Sequence, residues 1–245
     1  MRESLLISAR AMDLNRDTID ITSNNIANLD TVGYKRDKAY NTSFKDIIAS
    51  RLYNPTEKYS VPHNVSVTTD FSSGGFKFTA DDLNVAISGD GFFKVTMPDD
   101  TVAYTRRGVL SLDSQKRLLI GGNPVVGSSG PITLEDTNII IDETGRIFNS
   151  KNQLMGQMSV VDIEDKSQLR KVGNTLFQAS EEVEEKPSEA VIKQKYLEDS
   201  NVNQSNAMIE MISLLDSLRQ FETQQKLVQM QDEMTGKVIA QVGAV

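Results

Sequence analysis

The residues of this 245-residue chain that could do chemistry are a single histidine and a few adjacent carboxylates, since cysteine is absent. General acid or base work and metal ligation both need a second group at a fixed spacing. His63 stands in a polar stretch beside Pro62 with no carboxylate, serine or metal-ligating companion at a useful distance in sequence. The pairs Asp81 with Asp82 and Asp99 with Asp100 resemble an acid and base, but Asp99 and Asp100 follow Pro98, where aspartate ordinarily bonds turn backbone. Gly89 and Gly91 form a G-x-G without the later glycine and following helix of a dinucleotide site, and Gly74 and Gly75 precede no Lys-Ser or Lys-Thr. These observations imply no enzyme, no cofactor and no metal site.

Composition narrows the class further. The formal charge of −8 argues against a nucleic-acid surface, which needs clustered lysine and arginine. No apolar run approaches the roughly 18 to 20 residues of a membrane span, so no transmembrane insertion is expected. Arg10, Asp13, Arg16 and Asp17 interrupt the N-terminal stretch, which therefore lacks the apolar core of a cleavable signal peptide. Only 38% of residues are hydrophobic and none is tryptophan, which makes a modest core and leaves apolar surface for other subunits.

The elements that must position these residues are helical at the ends and strand-rich between. Met1, Leu5, Ser8, Met12, Asn15, Ile19, Thr22 and Ile26 recur in steps of four and three, the spacing of a coiled-coil seam over residues 1 to about 28. An ordinary amphipathic helix with its polar groups at the edge of the stripe meets the same pattern. A second, longer helix is expected from near Asn203, with Met211, Leu215, Leu218, Phe221 and Val228 among apolar residues on more than one stripe. Helices so far apart share one domain only if the chain leaves it and returns.

Between them, residues 36–68 read as an extended connector with Pro55 and Pro62 and a short amphipathic stretch at Phe44 to Leu52. From Leu83 short strands alternate with turn signals. Leu83 to Ser88 and Phe92 to Met97 are expected to pair through an Asp-Gly turn, with Phe93, Val95 and Met97 on one face. Further strands are expected around the turns at Pro98 to Asp100, Asp113 to Lys116 and Glu143 to Gly145, and as one continuous strand over Gln157 to Ile163. The acidic, proline-broken stretch Glu181 to Glu189 reads as a solvated return loop.

The run Ser23 to Arg36 then carries the most information. Ala27, Asn28, Leu29, Asp30, Thr31, Val32, Gly33, Tyr34 and Lys35 resemble the A-N-x-x-T-x-G-[FY]-K motif of the bacterial flagellar rod and hook axial proteins. Leu83 to Val95 is similar to that family's L-D-V-A-I-x-G-x-G-F-F-x-V, and Tyr104 to Asp113 to its Y-T-R-D-G-x-F-x-x-D. Leu197 to Asn203 and Glu210 to Glu222 resemble the closing E-x-S-N-V-[DN] and E-M-[IV]-x-x-x-x-x-x-R-x-[FY]-E. Asn84, Arg107 and Lys116 depart from the pattern, the last where a turn glycine is common.

The resemblance implies an α+β fold in which residues 1–35 and 200–245 form a discontinuous, coiled-coil-like helical domain with an inserted all-β domain over 69–199. It implies a structural subunit of the flagellar basal-body rod, exported without a cleaved signal through the flagellar export apparatus. Its partners would be copies of itself, other rod and hook axial proteins and surrounding ring proteins. Asn24, Asn25, Ala27, Asn28, Thr31, Gly33, Tyr34 and Lys35 are the expected assembly motif, with Gly33 at positive φ and the asparagines capping the helix end. A plain helix stop is the alternative reading of that motif. Leu5, Met12, Ile19, Ile26, Met211, Leu215, Leu218, Phe221 and Val228 are the expected helix interface. Two other functions compete: a surface adhesin with coiled-coil ends and a ligand-binding β head, and a secreted carbohydrate-active enzyme with a carboxylate pair in a cleft.

Overall fold

The computed structural model describes residues 2–40, 66–128, 130–134, 138–179, 183–202 and 204–242. His63, the Phe44 to Leu52 stretch and most of the expected connector lie outside the described residues. The chain is α+β and divides into two compact units. The first comprises residues 1–27, 37–68 and 205–245, and the second residues 28–36 and 69–204. The structure thus places Asn28 to Arg36 with the strands, although the sequence reading grouped residues up to 35 with the helices.

Two helices dominate the first unit, α1 over Arg2–Ala27 and α2 over Gln204–Val242. The least exposed residues of α2 are Ala207, Leu214, Phe221, Val228 and Thr235, alternating with Glu210, Ser217, Gln224 and Gln231. Steps of three and four make this a seam, and it is largely polar. On α1 the covered residues include Met12, Asn15, Thr18, Ile19, Thr22, Asn25 and Ile26, whereas Asp13, Arg16, Asp17 and Asp20 face water. Asn15 Nδ2 donates to Gln224 Oε1 at 3.1 Å, joining the two seams. At the end of α1, Asn25 exchanges two hydrogen bonds with the backbone of Asp37, at 2.8 and 3.0 Å. The strand Asp37–Tyr40 pairs with Ser66–Thr69.

The second unit is built on a six-stranded antiparallel sheet in the order Leu169–Val172, Leu176–Ala179, Val102–Thr105, Phe92–Thr96, Val160–Ile163, Glu185–Pro187. Alternation decides which face each side chain takes. Phe93, Val95 and Ala103 enter the larger core with Val85, Ile87, Leu118 and Ile147, and Met97 packs against its edge as expected. Phe92, Tyr104, Val161, Ile163 and Phe177 form a smaller core on the opposite face. There Phe71 meets Phe92 and Phe177 edge to face at centroid distances of 5.6 and 5.1 Å.

Three strand expectations need correction, the first being that the acidic return Glu181 to Glu189 is loop: Glu185–Pro187 is an exposed edge strand paired with Val160–Ile163. Val85–Ser88 does not fold back on Phe92–Thr96; it pairs with Val191–Gln194 across the chain. Gly89 and Gly91, at φ +121° and +147°, send the chain to another sheet, and the Arg106 guanidinium takes the Ile87 and Gly89 carbonyls. The segment Gln157 to Ile163 is also not one strand. It breaks at Met158 and Ser159 into Leu154–Gln157 and Val160–Ile163, which belong to different sheets.

Three hairpins share one turn that the sequence reading did not connect. Asp113 Oδ1 accepts from the backbone of Gln115 and Arg117, and Arg117 Nε donates to Asp113 Oδ2. Asp142 holds Thr144 and Arg146 in the same way, and Asn149 holds Lys151 and Gln153. In each the fourth residue has positive φ: Lys116 at +60°, Gly145 at +80° and Asn152 at +59°. A short side-chain acceptor closes the turn on its own backbone, so these residues define hairpin ends rather than reactive groups. Asp99 does likewise, accepting from the backbone and hydroxyl of Thr101.

Candidate functional site

The expected assembly motif divides at the end of α1. In the first unit, Asn24 and Ala27 are exposed and Asn25 is buried against Asp37. In the second, the Thr31 backbone N–H donates to the Asn28 carbonyl and the Thr31 hydroxyl to the Asn28 side chain, each at 3.1 Å. Gly33 takes φ +71° and lies so close to the next segment that a Cβ would stand 2.5 Å from the Arg107 nitrogen. Only glycine satisfies both conditions.

Gly33 delivers Tyr34 and Lys35 into the second unit. Both are buried there: Tyr34 is 2% exposed and Lys35 not at all. Lys35 Nζ donates to Glu198 Oε1 and to the Ser72 carbonyl, both at 2.7 Å. Arg106 Nη1 reaches the other oxygen, Glu198 Oε2, at 3.4 Å, and Arg106 Nη2 donates to the Gly89 carbonyl at 2.8 Å. The Gly74 N–H also donates to Glu198 Oε1, at 3.1 Å. One carboxylate therefore serves two cations, and all three side chains are buried. Burial pushes the Lys35 ammonium and the Arg106 guanidinium below their ordinary pKa values, and the charge of Glu198 opposes both shifts. The Arg106 guanidinium lies 5.2 Å from the centre of the Phe92 ring, and its buried Nε has no hydrogen-bond partner.

Backbone bonds surround this network. The Gly33 N–H donates to the Glu198 carbonyl at 2.8 Å, and the Arg36 N–H to Asn201 Oδ1 at 2.7 Å. Asn201 Nδ2 donates to the Asp70 carbonyl at 2.7 Å, and the Asp70 N–H to the Arg36 carbonyl at 2.9 Å. Lys171 Nζ caps the Lys35 carbonyl at 2.6 Å while lying 4.2 Å from the centre of the Tyr34 ring. The arrangement has the chemistry of a tie. Its donors end on the one carboxylate or on backbone carbonyls of other segments, so it fixes three chain segments relative to one another. Among the described residues no cluster of side chains has the makings of a metal site.

Of the expected helix-interface residues, Met12, Ile19, Ile26, Phe221 and Val228 are partly covered, and Met211, Leu215 and Leu218 are exposed. The side chain of Leu5 lies outside the described residues. Glu198, Arg106, Asn201 and Lys171 were not singled out by the sequence. The signal for Glu198, Asn201 and Arg106 was their place inside family-like segments; Lys171 had none.

Comparison with known proteins decides the family. Residues 5–35 match the family described as "Flagella basal body rod protein". Residues 86–149 match "Flagellar hook protein FlgE/F/G D1 domain", and residues 193–241 match "Flagellar basal body rod FlgEFG protein C-terminal". The chain belongs to the flagellar basal-body rod protein family. Each match contributes one member of the buried network: Lys35 from the first, Arg106 from the second and Glu198 from the third. The chain is 29% identical to the flagellar basal-body rod protein FlgG of Buchnera aphidicola from Acyrthosiphon pisum, over 97% of this chain and 99% of the relative. It is 28% identical to the rod protein FlgF of Escherichia coli K12, over 94% of each. It is 26% identical to FlgG of Bacillus subtilis 168, over 98% of each. These rod relatives are structural proteins and this member of their family is not an enzyme; neither the adhesin nor the carbohydrate-enzyme reading finds support in them.

Proposed function

We propose that the chain is a structural subunit of the bacterial flagellar basal-body rod, polymerising with copies of itself and with other axial flagellar proteins. The observation that carries this is the ordered, nearly end-to-end correspondence with rod proteins. Residues from both ends of the chain make a discontinuous, coiled-coil-like helical domain, and the strands are an inserted β domain. Helices of many copies pack into the wall of a drive shaft through a heterologous contact, which repeats without closing and so builds a filament. Exposed Met211, Leu215 and Leu218 support that packing, since apolar stripes of this kind mark interaction surfaces. Among the described residues no helix is long and apolar enough to cross a membrane. The subunit reaches the basal body through the flagellar export apparatus without a cleaved signal, and meets the hook side of the axle and the surrounding rings.

Deleting the gene and imaging isolated basal bodies tests this. Basal bodies with an incomplete rod and no hook, restored by the full chain, are expected. Complete, rotating flagella in the deletion strain contradict it.

A further inference from the structure

The exposed apolar residues of α2 change flank partway along the helix. With the seam through Ala207, Leu214, Phe221 and Val228 as reference, Met208, Met211 and Leu215 lie on one flank, extended by Leu218. Leu227, Met230 and Met234 lie on the opposite flank. The six residues of the two trios are between 48% and 69% exposed. Where one flank is apolar the other is polar. Ser213, Asp216 and Gln220 lie across the helix from the first trio, with Ile209 the apolar exception, and Glu222, Gln225, Gln229 and Asp232 lie across from the second.

The trios are matched. Each steps by three and then four residues, and each residue of the second lies 19 positions after its counterpart in the first. We infer that α2 of one copy packs the Met208, Met211 and Leu215 trio onto the Leu227, Met230 and Met234 trio of a second copy, displaced along the helix by those 19 positions. At a rise of 1.5 Å per residue the stagger is about 28 Å. An unstaggered parallel contact between the same flanks would desolvate two carboxylates against apolar side chains, Asp216, whose neighbouring charge is Arg219 at 3.9 Å, against the first trio and Asp232 against the second. The stagger instead sets apolar against apolar at both levels. Because the two trios sit on opposite flanks, every copy in the row offers one trio to the copy above and the other to the copy below.

The inference rests on the rod reading, and the lack of native cysteine permits a direct test. The full-length chain carrying Met211→Cys and Met230→Cys is expressed in cells that build the flagellum, and isolated basal bodies are oxidised and run without reductant. A ladder of covalent multimers is expected from the double variant, and monomers from either single variant. Same-numbered residues of neighbouring copies would lie about 28 Å apart, far beyond the Cα separation of about 4.4 to 6.8 Å that a disulfide spans. The pair Leu215→Cys and Met234→Cys reads the same stagger if the first does not assemble. Rods that contain either double variant yet yield no multimers, or single variants that dimerise, overturn the stagger and leave the rod reading standing. A wild-type chain absent from the rods overturns both.

Discussion

Lys35 and Glu198, 163 residues apart in the chain, hold each other at 2.7 Å with neither side chain exposed to solvent. Lys35 closes the motif that follows α1, and Glu198 closes the strand Tyr196–Glu198 shortly before α2. The strand-rich unit therefore fixes the first residues to enter it and the last to leave it at one point.

The network holds two cations and one carboxylate, so its members are not equivalent. Glu198→Gln leaves Lys35 and Arg106 buried without a counter-charge and is expected to cost about 3 to 5 kcal/mol. Lys35→Met leaves Arg106 paired with Glu198 and should cost less. Urea unfolding of the full chain checks this order; equal losses would mean that the charges are not what the site depends on.

Because burial holds the pKa of Lys35 below the ordinary 10.5, despite the opposing Glu198, the folded state binds that proton more weakly than the unfolded chain does. The resulting penalty is full below the folded pKa and disappears as pH rises toward 10.5. The stability difference between the wild-type chain and Lys35→Met should accordingly shift in favour of wild type over that alkaline window. Unfolding curves at a series of alkaline pH values measure it, and a difference independent of pH would contradict the assignment.

Lys116 holds φ +60° in a turn whose counterpart after Asp142 uses Gly145. A side chain in the left-handed region costs about 1 to 2 kcal/mol, partly offset by the greater freedom glycine brings to the unfolded chain. Lys116→Gly should raise stability by roughly 0.5 to 1 kcal/mol, visible as a higher thermal midpoint. Gly33→Ala goes the other way, because its Cβ would meet the backbone of Arg106 and Arg107 at 2.5 to 2.7 Å.

Leu218 and Phe221 lie one turn apart on α2 but do different work. Leu218 is 41% exposed, whereas Phe221 lies on the partly covered seam. Leu218→Asp should change the unfolding free energy of the isolated chain by no more than about 0.5 kcal/mol while abolishing motility. Phe221→Asp should lower helix stability as well. Normal swimming with Leu218→Asp present at wild-type abundance would remove this residue from the interface.

Much of the fold was legible because its signals are local. The helix at Arg2–Ala27, the hairpins around Asp113 and Asp142 and the positive φ of Gly33 all follow from short-range spacing or turn chemistry. The pairing of Val85–Ser88 with Val191–Gln194 was not legible, since nothing within either segment names a partner about a hundred residues away. The same holds for the buried network. Lys35, Arg106 and Glu198 read singly as surface charges, and only the folded sheet shows that they share one desolvated point.

The most direct test of the account is a cryo-electron-microscopy map of the isolated rod at a resolution that assigns side chains. It should place this chain in the axial wall, with α1 and α2 from successive copies packed side by side and Lys35, Arg106 and Glu198 enclosed within each subunit. A rod assembled entirely from other proteins, with this chain absent from its density, would contradict the account.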